Sequence, residues 1–222
     1  MYSLVMSLFI IPAFVSGLLL IVPKPVAKLF VIASSLLVSA ISVYLFTIIN
    51  EPYQFGVPQF INKLVAGADI LLLLYFGWVA IRQKSWLVGV MTILQMGALA
   101  YLLTVIPREE SMQFMVDKLS VFMFLLINVI SGVISIYSLQ YIDEETCSAF
   151  RKKYFLSILF WFIAVMNLLV SSNNLEYFFL FFELTTLASF LFIGFRKDNT
   201  SIKNALTALW MNQMGGLAIL IA

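Results

Sequence analysis

Residues 177–195 read YFFLFFELTTLASFLFIGF, an apolar run with one carboxylate, Glu183, near its centre. An ionised side chain at the middle of a bilayer costs roughly 2.5–3.5 kcal/mol on insertion scales, so such a group must be neutralised, paired or hydrated. Burial favours its neutral form and a nearby lysine its charged one. A carboxyl balanced between those influences takes up and releases a proton as a neighbouring charge approaches or retreats. That is the physical requirement for a proton relay. The plainer reading is a neutral carboxyl hydrogen-bonding between helices, a role that asparagine and glutamine fill without titrating. The default for ionisable residues inside membrane spans favours the functional reading. Thr186 lies about one turn from Glu183 and is placed to orient it, while Asn167, Asn212 and Gln213 are candidates to hold water nearby.

The remaining polar residues within apolar runs are neutral. Ser35, Ser39 and Ser42 form one helix-face stripe, and Asn128, Ser131, Gly132 and Ser135 another. Close packing through small residues, with some hydrogen bonding, is favoured over a water path for both. The chain has one cysteine, Cys147, and no histidine, which removes disulfides, zinc sites, histidine-ligated haem and cysteine-ligated iron–sulfur clusters. No cofactor is expected in this chain, and any redox metals belong to another subunit. A net charge of +2 without a basic run gives no surface for nucleic acid.

The elements that must position Glu183 are membrane helices. The chain is 63% hydrophobic and 11% charged, where a soluble domain holds roughly a quarter charged residues. It reads as an all-α, polytopic membrane bundle in one helical domain. The N-terminal run lacks the basic start and small-residue cleavage pattern of a signal peptide, and a second apolar run comes directly after it, so it reads as a first span. Spans need about 20 apolar residues, and eight are expected, at 3–22, 27–49, 64–81, 86–106, 118–140, 154–171, 175–195 and 203–222. The third is the weakest, since its uninterrupted run begins only after Asp69. The connection at 50–63 is expected to be the longest, Pro12 to kink the first helix, and Pro107 to end the fourth.

Basic residues accumulate on the cytoplasmic side, and here they fix an orientation. With the N-terminus outside, inner loops hold Lys24, Lys28, Arg82, Lys84, Arg151, Lys152, Lys153, Arg196, Lys197 and Lys203, leaving only Lys63, Arg108 and Lys118 outside. Glu51, Glu109, Glu110, Asp143, Glu144, Glu145, Glu176 and Asp198 fall in loops or at their edges. Asp69 and Asp117 are expected near the starts of spans, within reach of headgroups. Glu183 is then the one deep carboxylate, and no lysine or arginine is comparably deep.

Residues 116–195 carry a recognisable set of pieces. These are Asp-x-Leu-Ser at Asp117–Ser120, Ile-Tyr-Ser at Ile136–Ser138, Met-Asn-Leu-Leu-Val at 166–170, and Asn-Asn-Leu at 173–175. The aromatic-Glu-Leu-Thr-Thr-Leu-x-Ser-Phe block around Glu183 completes them. Together they resemble the antiporter-like membrane subunits found in respiratory complex I, Mrp-type cation/proton antiporters and energy-converting hydrogenases. The resemblance implies that Glu183 is the proton-pathway carboxylate, and that its partner is a lysine on a later helix. It divides the chain into N-terminal helices at 1–115, with an extra hairpin at 64–106, and the start of the antiporter-like core at 116–222. The hairpin contributes an even number of spans, so the orientation of the later spans is unchanged.

Departures from the family pattern accompany the match. Phe182 stands where tryptophan is typical, and no lysine-bearing helix occurs in these 222 residues. An N-terminal fragment, or a split form relying on another polypeptide, is the expectation. The pattern Asn212-x-x-Gly215-Gly216 looks more like the large membrane subunit of Ech-type energy-converting hydrogenases than like complex I. The resemblance thus implies proton or sodium translocation in a multi-subunit complex of the cytoplasmic membrane. Partner membrane subunits and a peripheral, ferredoxin-linked redox arm carrying nickel–iron and iron–sulfur centres are expected beside it. The alternatives are an Mrp-type antiporter subunit, a complex I-like subunit, and a structural or assembly protein in which Glu183 only packs.

Overall fold

The structure is a computed structural model that describes residues 2–49, 51–105 and 112–221. Pro107, Arg108, Glu109 and Glu110 lie outside the described residues. Among the described residues eight long helices succeed one another: α1 (Tyr2–Ile21), α2 (Lys24–Ile48), α3 (Gln59–Arg82), α4 (Trp86–Val105), α5 (Lys118–Glu144), α6 (Ala149–Ser171), α7 (Leu175–Ile193) and α8 (Asn199–Ile221). The first seven are long and apolar enough to cross a membrane, as expected of a multi-pass membrane protein. The eighth matches them in length. Pro12 lies buried inside α1.

Local chemistry sets the helix ends. Asp117 caps α5 by accepting from the Ser120 backbone N–H at 2.8 Å, and Asn174 caps α7 by accepting from Glu176 N–H at 2.8 Å; each satisfies an amide that the first turn leaves bare. The α3–α4 hairpin closes by a Schellman arrangement, with Ser85 N–H donating to Ala80 O at 3.0 Å and Lys84 N–H to Ile81 O at 3.3 Å. Lys84 takes the left-handed position, at φ 53°, where glycine is usual.

Two features differ from the sequence expectation. Helix α3 starts at Gln59 rather than 64, because Pro58 ends the extended segment and residues 59–63 join the helix. The α2–α3 connection shortens accordingly. Two three-residue strands also occur, β1 (Tyr53–Phe55) and β2 (Phe114–Val116); their aromatic and β-branched residues suit extended backbone.

The chain forms two compact units, residues 1–53 with 115–171 and residues 54–114 with 172–222. In the first unit α1 packs on α2, α2 on α5, α5 on α6, and α6 back on α1, a closed ring of four helices. Its two polar stripes meet across α2 and α5. Ser39 Oγ donates to Asn128 O at 2.9 Å, Asn128 Nδ2 donates to Ser42 Oγ at 2.8 Å, and Gly132 lets Ser35 and Ser39 approach. The two stripes are thus in close contact, with hydrogen bonds between the helices. At one end of this unit Lys24 and Lys28 pair with Asp143 at 2.8 and 2.9 Å, joining two segments expected on the cytoplasmic side.

In the second unit α3 packs on α4, α4 on α8, α8 on α7, and α7 on α3, again a closed ring. Its core gathers Leu72, Leu73 and Phe76 of α3, Val88 and Leu99 of α4, Phe179 of α7, and Leu209 and Leu220 of α8. The hairpin singled out in the sequence therefore packs with the helix that bears Glu183. Segments expected outside meet here: the Tyr177 hydroxyl donates to Asn62 Oδ1 at 2.6 Å, and Asn173 Nδ2 to Met112 O at 3.0 Å.

Candidate functional site

Glu183 lies in α7, wholly buried, on a stripe with Tyr177, Leu180 and Thr186. Opposite it, α4 and α8 present the same spacing of buried residues. On α4 these are Val88, Thr92, Gln95 and Leu99, and on α8 Leu209, Gln213, Gly216 and Leu220. Each set has the i, i+4, i+7, i+11 pattern of one helix face. The polar members therefore meet halfway along the helices rather than at their ends.

Gln95 is the hub. Its Nε2 donates to Glu183 Oε1 at 2.6 Å and to the Gln213 backbone oxygen at 3.0 Å. The Gln213 amide donates to Thr92 Oγ1 at 2.9 Å, and Thr92 donates to Val88 O at 2.8 Å. Gly216 makes room for this. A Cβ built there would collide with Glu183 Oε1 and Gln95 Nε2, so only glycine lets α8 come this close.

What the arrangement lacks is donors. Glu183 Oε2, Gln95 Oε1 and Gln213 Oε1 are buried with no hydrogen-bond partner among the described residues. Leaving a buried acceptor unsatisfied costs about 1–3 kcal/mol, and a carboxyl proton on Glu183 would turn one of these acceptors into a donor. Lys63, Arg82 and Lys203, the described basic residues within α3, α4, α7 and α8, are exposed near helix ends. A carboxyl in this cluster has the chemistry to bind and release a proton. No group of three or more metal-ligating side chains occurs among the described residues.

The supporting residues expected from sequence separate. Gln213 stands in the network. Thr186 is buried beside it, but its hydroxyl donates to Phe182 O at 3.1 Å, within its own helix. Asn167 belongs to the first unit, where it pairs with Asn128 and donates to Leu8 O. Asn212 is half-buried on α8 and is not a hydrogen-bond partner of Glu183.

Two residues were missed. Gln95 is a lone neutral amide in an apolar run, and its available signal was the helical spacing from Thr92. The other is Asp69, and it corrects the inventory of deep carboxylates. Because α3 begins at Gln59, Asp69 sits near the middle of the 24-residue helix, and it is fully buried. Glu183 is therefore not the only deep carboxylate.

Comparison with known proteins places part of this chain. Residues 109–155 match the family profile described as NADH-Ubiquinone oxidoreductase (complex I), chain 5 N-terminus. Hydrogenase-4 component B of Escherichia coli (strain K12) is 36% identical over 107 residues, 48% of this chain and 16% of that protein. NADH-ubiquinone oxidoreductase chain 5 of Wickerhamomyces canadensis is 34% identical over 110 residues, 49% of this chain and 16% of that one. Na(+)/H(+) antiporter subunit A1 of Staphylococcus haemolyticus is 35% identical over 105 residues, 47% of this chain and 13% of its own. The matched stretch thus spans about a sixth or less of the length of these relatives. Glu183 lies beyond the residues matched by the family profile.

Proposed function

Since the matched half of this chain belongs to the N-terminal portion of the antiporter-like membrane subunits, we propose that the protein translocates protons with Glu183 as its mid-helix titrating group. The observation that carries this reading is a buried carboxyl with one oxygen held by Gln95 and the other without a donor. A neutral carboxyl in a packing role would have both oxygens engaged, the C=O accepting and the O–H donating. Fixing one oxygen orients the group, and leaving the other free keeps it available to a proton. Thr92 and Gln213 hold Gln95 and α8 in register, so the carboxyl is positioned from two helices at once.

The protein works as one subunit of a larger assembly in the cytoplasmic membrane. A membrane-bound hydrogenase of the Ech type fits best, supported by the similarity to Hydrogenase-4 component B and by the Asn-x-x-Gly-Gly pattern whose Gly216 abuts Glu183. In that reading the nickel–iron and iron–sulfur centres and the ferredoxin-linked chemistry reside in partner subunits. Electron transfer there drives a charge toward and away from Glu183. An Mrp-type role with sodium as the counter-ion is the second reading, supported by the similarity to the Na(+)/H(+) antiporter subunit.

The test replaces Glu183 by glutamine, which keeps the shape and removes the titratable proton. Translocation by the assembled complex in liposomes is expected to fall at least tenfold while assembly is retained. Full translocation by this variant would reduce Glu183 to a packing group.

A further inference from the structure

Asp69 has no role in the network around Gln95, yet a structural role explains it even less well. It is wholly buried, and neither Oδ1 nor Oδ2 has a hydrogen-bond partner among the described residues. A carboxyl without partners adds nothing to packing that an apolar side chain would not supply better, and its burial is costly. It sits on the inward stripe of α3, with Val65, Ala66, Leu72, Leu73 and Phe76.

Its position relative to Glu183 is set by the helices. The bond between Tyr177 and Asn62 joins α3 and α7 in their first turns, and the two helices pack together. Helices that start together rise in step at about 1.5 Å per residue. Seven residues beyond Asn62 and Tyr177 stand Asp69 and Leu184, so Asp69 lies within one residue, about 1.5 Å, of the level of Glu183. Glu183, and Glu176 in the first turn, are the acids of α7, the helix packed against α3. The other ionisable groups on the elements packed around it are turned elsewhere. Tyr177 is engaged by Asn62, Tyr75 of α3 packs its ring beside Phe76 and Trp78, Tyr101 of α4 and Lys63 of α3 are exposed, and Arg82 stacks 5.0 Å above Trp78. Asp69 Oδ1 and Oδ2, Glu183 Oε2, Gln95 Oε1 and Gln213 Oε1 make five buried acceptors in one unit without a donor.

We propose that Asp69 and Glu183 form a coupled pair of proton-binding carboxyls, Asp69 being the next station on the proton's route. The inference rests on reading Glu183 as a relay. In the transfer, the O–H bond at Asp69 breaks and its electron pair stays on the Asp69 oxygen. An O–H bond forms at Glu183, directly or through one water. Asp69 becomes the carboxylate as Glu183 becomes neutral, so the pair keeps a single negative charge. Two nearby carboxylates resist simultaneous ionisation, and they titrate as a pair rather than singly.

The experiment uses the assembled complex in liposomes, with translocation and infrared titration of buried carboxyl C=O bands as readouts. The wild type is expected to show two coupled steps, one aspartate and one glutamate, distinguished by residue-specific isotope labelling. Asp69→Asn is expected to leave one step and to slow translocation at least tenfold, and Asp69→Glu to restore part of the rate. A normal rate and an unchanged glutamate titration in Asp69→Asn would overturn the proposal. So would a wild-type titration with no buried aspartate step, which reads the pair even where a variant fails to assemble. A titration that shifts with sodium but shows no shared proton would also overturn it, assigning the five oxygens to a metal cation. The two readings fail separately. Loss of translocation in Glu183→Gln with a normal Asp69→Asn sinks only the pair, while the reverse sinks the Glu183 relay and the pair with it.

Discussion

The two four-helix rings enclose polar interiors of opposite kinds. In the ring of α1, α2, α5 and α6, Asn128 and Asn167 exchange amide hydrogen bonds at 3.0 and 2.9 Å, and Ser42 accepts from Asn128. Among the described residues its unpartnered buried polar atoms are two hydroxyls, on Ser35 and Ser135. In the ring of α3, α4, α7 and α8, the unpartnered atoms are carboxylate and amide oxygens, and two of the residues are acids. The first interior is closed on itself and neutral in every protonation state. The second is short of hydrogen atoms, and the number it holds changes with protonation. Similar helix packing thus surrounds a neutral amide pair in one unit and two titratable acids in the other.

Four substitutions break or sharpen this contrast, beginning with the largest effect. Gln95→Leu removes the donor to Glu183 and the tie to Gln213. Translocation is expected to fall at least tenfold, measured on the assembled complex, although the titrating carboxyl itself is untouched. An unchanged rate would make Gln95 incidental. The matching change in the first unit is expected to behave differently. Asn128→Leu or Asn167→Leu alone should cost about 1 kcal/mol of stability by stranding the other amide, and the double variant less than the sum. Thermal denaturation in detergent reads this cycle, with translocation per folded complex near wild type; a rate that dropped with stability unchanged would erase the distinction between the units.

The smallest effect concerns the Asp117 cap. The Ser120 backbone N–H, donating to its carboxylate, holds Asp117 below the usual carboxylate range against a weaker opposing effect of burial. A depressed folded value means the cap stabilises fully above the unfolded titration, near pH ~3.9, and is lost as pH falls through the folded value. Asp117→Ala should cost about 1 kcal/mol at neutral pH, and the gap to wild type should close in acid. A gap independent of pH would assign the loss to something other than the charged cap.

Eight helices were legible because uninterrupted apolar runs leave few alternatives. Glu183 was legible because charge is rare enough in such runs to be counted. Asp69 was not, for two physical reasons. Residues 59–63 hold Gln59, Asn62 and Lys63 and read as loop, which set the span start five residues late. That error moves a side chain about 7.5 Å nearer the end, at 1.5 Å per residue. The second reason is the lipid-facing side. Leu71 and Leu74 are exposed and as apolar as the buried Leu72 and Leu73, so no polar face marks which stripe points inward. Gln95 was hidden by the same uniformity. Thr186 and Asn167 show the converse: a suitable residue type close in sequence, or in a matching run, does not give a side chain aimed at the carboxyl.

The stacked rings of Phe55 and Phe114, with centroids 5.1 Å apart, have a further consequence. They stand on either side of α3 and α4, so this helical pair leaves the chain and returns to it at one place. An insert with adjoining ends behaves as a cassette: it can be excised and the gap bridged by a short turn without stretching what remains. This cassette carries both Asp69 and Gln95. A chain without it would have to satisfy Glu183 by other means, and a relative given it would acquire an acid and an amide donor in a single transplant.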